Sequence, residues 1–448
     1  MSSTYTSSPS SSGKKYAKRK PAARRAPSAS DDVDKIARNV KNFETWSTHQ
    51  NLEQAEFSDL PLDLVEDVKS VFSTTARIPL SWVEEDSADY EWITSRASPE
   101  FLSFLSNAYK GDPDLFFDDK EKETDVFKLF LSLGRVFSVW ERLMLMIDSS
   151  EKWSEADYVA NVYAPLRSPA ITESTQRVQP RLSLPQPPIS KRLGTEAARV
   201  LRTKIVIPDC AVLIPASSIQ HLSSSTSSPY HELKRADKSA NGSSTFCFQT
   251  TIYDSLPDRP SFQVASSFWE DKKPVHHSLE DAYRQNRMSS AVALRQLHFL
   301  HVQAPVIGLV WCQGIVRAHV DWHNSADSDE PPTILSAPYA KSDRAERNGK
   351  GFEWRLERPQ DLLQVHFLIR NIDRWTTTRF RERVEEGIGK LVDHVVTKKA
   401  PFQAWRRCGE ISSKNHKENL QVASHGSDST SKKPTLRSKT TKSTAPRK

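Results

Sequence analysis

Two apolar runs carry acids where neighbouring strands would bring them to a common edge. The first is Ile205-Val206-Ile207-Pro208-Asp209-Cys210-Ala211-Val212-Leu213-Ile214, with Pro-Asp at the start of its most apolar stretch. The second runs from Phe262 to Trp269 and closes on Glu270-Asp271-Lys272. Side chains alternate across a strand. Phe262, Val264, Ser266, Phe268, Glu270 and Lys272 are therefore expected on one face, with Ala265, Ser267, Trp269 and Asp271 on the other. An acid and an ammonium two residues apart then point into one pocket, and Asp209 supplies a second carboxylate from the adjacent strand. Oxygen ligands of this kind suit Mg²⁺ (or Mn²⁺), which takes one or two protein carboxylates and keeps several waters. Such an ion stabilises charge on a phosphate and acidifies a bound water. Lys272 would orient that water or stabilise the transition state. The shifted pairing, Asp271 with Lys273, ranks second.

Composition limits the alternatives. A chain of 448 residues accommodates one large domain or two ordinary ones. Its 37% hydrophobic content is low enough that part of the length is expected to be disordered. Residues 1–30 hold seven Lys/Arg and no acid, and residues 411–448 hold nine against two acids. Because the whole chain is +7, the span between these arms carries a net charge near −7. The basic balance thus belongs to the arms. Lys14 to Arg25, in KKYAKRKPAARR, reads as a bipartite signal for a nuclear import receptor, which makes a nuclear location the expectation. There is no GxGxxG or GxxxxGK[ST] loop, and the four cysteines form no CxxC pair. The polar, basic start is no secretory signal, and no run of about 20 apolar residues exists to span a membrane.

Along the chain, 1–30 is expected to be a disordered basic tail and 31–150 a helical layer. That layer has helices over Asp31–Asn42, Pro61–Phe72 and Glu123–Ile147, the last burying Val126, Phe127, Phe130, Leu133, Phe137, Trp140 and Met144. Residues 151–397 form the main domain. It begins with a short helix capped by Ser154 and running to Leu166, followed by a loop over 167–195. Strands are expected over 203–215, Phe246–Tyr253 and Phe262–Trp269, then a helix over Leu279–Val302. Pro305–Cys312 and Gly314–Trp322 make a hairpin turning at Gln313-Gly314. Phe352–Leu356 reads as a strand, and Asp361–Ile372 and Thr377–Val396 as helices. Within this domain 216–243 and 324–350 read as disordered insertions, and 398–448 as a second disordered basic tail.

Helix, strands with Pro-Asp, strand ending Glu-x-Lys, long helix and two further strands follow the α-β-β-β-α-β order of the PD-(D/E)XK nuclease superfamily. The run PDCAVLIP, the strand into EDKK, Gln296-Leu297 in the following helix and the hairpin PVIGLVWCQGIVRAHVDW resemble the nuclease-like domains of fungal proteins over residues 150–375. The resemblance implies an α/β (α+β) fold with a mixed central sheet flanked by helices, and Mg²⁺-dependent cleavage of DNA or RNA. It implies Asp209 and Glu270 as metal ligands and Lys272 as the catalytic lysine. Glu155 matches the acid of the preceding helix, and Gln285 or Gln296 the polar residue of the following one. The Ser-rich stretch between Asp209 and Glu270 is longer than the family's usual hairpin.

Other polar groups are expected in bland roles. His319, Asp321 and His323 share a face that reads as polar and outward, although a histidine-carboxylate metal site uses the same residue types. His276-His277 fall in an exposed turn. Trp311, Trp322, Trp354 and Trp375 are expected in the core rather than as base-stacking platforms. Arg370, Arg374, Arg379, Arg381 and Arg383 give the late helices a basic side, diluted by Glu382, Glu385 and Glu386. An inactive nuclease-like protein that binds nucleic acid or another protein is the alternative function.

Overall fold

The computed structural model describes residues 29–118, 125–185, 195–242, 244–272, 279–324, 332–340, 352–401 and 404–405. Residues 1–28 and 406–448, with Lys14–Arg25 among them, lie outside the described residues, as do Lys273, His276-His277, 325–331 and 341–351. Among the described residues no helix is long and apolar enough to cross a membrane.

The protein is mixed α/β. Its main sheet has eight strands: β1 Leu52–Gln54, β2 Thr175–Val178, β3 Cys210–Leu213, β4 Ala265–Lys272, β5 Val306–Cys312, β6 Ile315–Asn324, β7 Thr333–Pro338 and β8 Glu353–Arg355. Their spatial order is β1-β7-β6-β5-β4-β3-β2, with β8 beside β6. β4 and β5 run parallel, as do β1 and β7, and the other pairs are antiparallel. The principal helices are α1 Ala29–Arg38, α2 Val40–His49, α3 Leu62–Phe72, α4 Pro99–Gly111, α5 Val126–Asp148, α6 Pro229–Asn241, α7 Leu279–Phe299, α8 Pro359–Thr377 and α9 Arg379–Val392. A helical segment over 155–167, with a π turn at Val159–Tyr163, precedes β2.

The middle of the chain therefore runs helix 155–167, antiparallel β2-β3-β4, crossover helix α7 and parallel β5. β4 and β5 are buried throughout, as expected of strands covered on both faces. A register shift between Val212 and Leu213 leaves Ser266 as an extra residue on β4, a bulge. Beyond it, alternation is regular. Lys272 meets Gln285 of α7, whereas Asp271 meets Arg167 of the helical segment. Ser266 does not share the Glu270 face as strict alternation predicted. The bulge turns it to Thr376 of α8, with the two hydroxyls 2.6 Å apart. The β5–β6 turn forms at Gln313-Gly314 as expected, both at positive φ (51° and 73°).

Residues 31–150 are not a purely helical layer. β1 pairs with β7 at the sheet edge, and α3, α4 and α5 pack on α8 within one continuous core. The expected Asp31–Asn42 helix is broken at Asn39, whose Oδ1 accepts the Asn42 N–H (3.0 Å) and starts α2. On α5, Leu129, Leu133, Val136 and Leu143 carry the burial, while Phe127 is 59% exposed. Asp125 caps that helix at its first turn, its carboxylate accepting the Lys128 N–H at 2.9 Å.

Two insertions contain structure. Within 216–243, α6 buries Tyr230 and Leu233, and Asp237 accepts the Phe246 N–H (3.1 Å). That anchor folds Phe246–Phe248 into a 3₁₀ turn where a strand was expected. Within 324–350, Thr333–Pro338 is β7. The 167–195 loop likewise contains β2 and the Leu182–Ser183 strand that pairs with Ile205–Val206.

Gly308 of β5 faces His319 of β6 so closely that an added Cβ would lie 1.9 Å from His319 Nε2. His319 cannot retreat, because Asp321 and Asn286 hold its two ring nitrogens at 3.0 Å each. Gly308→Ala should cost about 1–3 kcal/mol by overpacking. An unchanged melting temperature would show that His319 is not pinned.

Candidate metal and phosphodiester site

The site is built at one end of the β3–β4 pair. Cys210 is opposite Trp269, so one further step of that antiparallel register sets Asp209 opposite Glu270. Asp209 Oδ2 accepts the Asp271 N–H at 2.7 Å. Glu270 is 1% exposed, and its Oε1 accepts from Lys272 Nζ at 2.8 Å. Lys272 also donates to Gln285 Oε1 at 2.7 Å. Asp209, Glu270, Lys272 and Gln285 thus converge. Gln296 does not: its Nε2 donates to Gln263 O at 3.1 Å.

Glu155 begins the helical segment, where Ser154 Oγ caps the Asp157 N–H (3.2 Å). Its negative charge contributes to raising the Asp209 pKa, so the acid from the preceding helix is within electrostatic reach. Asp34 of α1 brings Oδ1 within 3.7 Å of Lys272 Nζ. Nothing local in the sequence distinguishes Asp34 from other helical acids.

These charges shift one another. Burial, then the Asp271 carboxylate, pushes Asp209 up to about 6, against the Asp271 N–H and Lys272. Burial lifts Glu270 well above the usual carboxylate range, with Lys272 opposing and the Asp209 and Asp271 charges adding to the rise. Burial works against the Lys272 ammonium, but Glu270, Asp34 and Asp209 outweigh it and hold its pKa above the ordinary lysine value. Glu270 Oε2 is buried with no hydrogen-bond partner among the described residues.

Asp271 points the other way. Both its oxygens accept from the Arg167 guanidinium, one at 2.9 Å, and both side chains are buried. Arg167 lies over Trp311, 4.1 Å from the ring centroid. This pair fastens the segment carrying Glu155 to the strand carrying Glu270 and Lys272. Sequence reasoning missed Arg167, which is separated from its partner by 104 positions.

His319, Asp321 and His323 are buried, contrary to the expected outward face. β5 and β7 flank β6 on both sides, and α7 packs over it. His319 pairs with Asp321, whereas His323 Nε2 lies 2.9 Å from Val302 O. The four tryptophans, Trp311, Trp322, Trp354 and Trp375, lie in the core. Asp67 pairs with Arg379 (3.5 Å) and Arg383 (2.6 Å), and Glu385 with Arg381 (3.7 Å), which tempers the basic side of the late helices. Among the described residues, no group of three or more His, Cys, Asp or Glu is arranged to hold a metal ion.

Compared with known proteins, the chain matches no protein-family model and no curated protein sequence.

The raised Asp209 pKa has a consequence for stability. The folded carboxyl binds its proton more tightly than an unfolded one at about 3.9. Its contribution to stability is therefore highest below pH 4, falls as pH rises through about 6 and stays low above. A cation held by the ionised acids would offset that loss. Mg²⁺ should therefore raise the melting temperature more at pH 8 than at pH 5, as differential scanning fluorimetry would show. An equal effect at both pH values would count against binding by these acids.

Proposed function

We propose that this protein is a divalent-metal-dependent nuclease of the PD-(D/E)XK type, acting on nucleic acid in the nucleus. The observation that carries the reading is the convergence of Asp209, Glu270 and Lys272 at one end of β3 and β4. Their frame supports it: a helix, an antiparallel three-strand meander, a crossover helix and a parallel strand.

The donor set fits a hard cation. Two neighbouring acids are held short of full ionisation by burial and by negative charge, and Glu270 Oε2 is a buried acceptor without a hydrogen-bond partner among the described residues. Asp209 and Glu270 would hold Mg²⁺ or Mn²⁺, each supplying carboxylate oxygen. A bound ion of this kind lends positive charge to a phosphate and acidifies a water. Lys272 stays protonated at neutral pH, so its role is a fixed positive charge for the charge developing on the phosphate, not a general base. Gln285 and Glu270 fix the direction of its ammonium. Glu155 adds negative charge on the Asp209 side.

A second reading keeps the fold but not the reaction. It draws on the deep burial of Glu270 and on Asp34 standing beside Lys272. In that case the protein is a platform for nucleic acid or another protein. Full-length protein incubated with DNA and with RNA separates the two. The nuclease reading expects cleavage with Mg²⁺ or Mn²⁺ that stops in EDTA. Binding without cleavage favours the platform.

A further inference from the structure

A second polar site lies close by. A cleft of about 240 Å³ is lined by Lys35 and Asn42 of the first two helices and by Arg199, Arg202 and Thr203. Two stretches of chain bring three cations together there, Lys35 from α1 and Arg199 with Arg202 from the stretch just before Ile205–Val206. In a body whose net charge is near −7, such a grouping is contrary to the local average.

Two tethers join this cleft to the acidic site. Lys35 follows Asp34, the residue 3.7 Å from Lys272 Nζ. Arg202 and Thr203 lead through Ile205–Val206, which packs on α1, to Asp209. At about 3.3 Å per residue, the seven steps from Arg202 to Asp209 span at most about 23 Å. We propose that the cleft binds backbone phosphates of the nucleic-acid strand whose scissile bond lies at Asp209, Glu270 and Lys272. The assignment rests on the nuclease reading for the identity of the strand. Its chemistry is independent: Arg and Lys side chains recognise phosphate through charge and, for Arg, paired N–H donors. The cleft thus positions the strand without touching the reacting atoms.

The test is equilibrium binding of a fluorescein-labelled single-stranded oligonucleotide to the full-length protein in EDTA, across a salt titration. Arg199→Glu with Arg202→Glu should weaken binding at least about tenfold and reduce the slope of log affinity against log salt by about two. Lys390→Met, which removes an exposed cation of α9 paired with Glu386 and outside both sites, should bind as the wild type does. The milder pair Arg199→Ala with Arg202→Ala should show the same direction, which guards against a folding defect in the charge reversal. Unchanged affinity and slope in both double variants would overturn the proposal. Failure of the wild type to cleave, with the binding loss intact, would overturn the nuclease reading and leave the phosphate cleft standing.

Discussion

Asp271→Asn should destabilise the protein by about 3–5 kcal/mol, the cost of leaving a buried charge without its partner. Arg167 is the charge in question. Its side chain is buried, it lies against Trp311, and a guanidinium does not shed its proton to escape. The effect should appear as a large drop in melting temperature. Combining Asp271→Asn with Arg167→Met should recover much of the loss, because the double variant buries no unpaired charge. The result also separates the two acids at the end of β4. If Asp271 rather than Glu270 were the metal ligand, its replacement would abolish activity and leave stability nearly intact.

Lys272→Met should have the converse profile. The variant keeps a long side chain over Glu270 but removes the positive charge between Glu270 and Gln285. Loss of a fixed charge aimed at the reacting phosphate is expected to lower the cleavage rate by at least about 10²–10³-fold. Folding should survive, because Glu270 already holds its proton well above the usual range and can remain neutral once the ammonium is gone. Circular dichroism and melting near the wild type, together with lost cleavage, are the expected pair of results. A variant that cuts as well as wild type would remove Lys272 from the reaction.

The parts of the site that were legible are those set by local rules. Glu270 and Lys272 share a face because strand alternation has a period of two residues, and Asp209 stands out because Pro-Asp opens an apolar run. The Gln313-Gly314 turn declares itself by residue type. What was not legible depends on distant partners. Leu52-Glu53-Gln54 has little strand character, and its pairing comes from Ile334, Leu335 and Ser336. The polar stretch 216–243 folds because Tyr230 and Leu233 are buried and Asp237 anchors the following turn. His319 and His323 read as outward because nothing local shows that α7 packs over that face of β6. Asp34 and Arg167 join the site through tertiary packing alone, one onto Lys272 and one onto Asp271. The bulge at Ser266 is also a tertiary feature, visible only in the register with β3.

The most direct test of the central claim is cleavage of a labelled nucleic-acid substrate by full-length protein with Mn²⁺ or Mg²⁺, with Lys272→Met run in parallel. A divalent-metal site at Asp209, Glu270 and Lys272 predicts fragments from the wild type, none in EDTA and none from the variant. No fragments from folded wild-type protein on either DNA or RNA, or equal cutting by the variant, would contradict it.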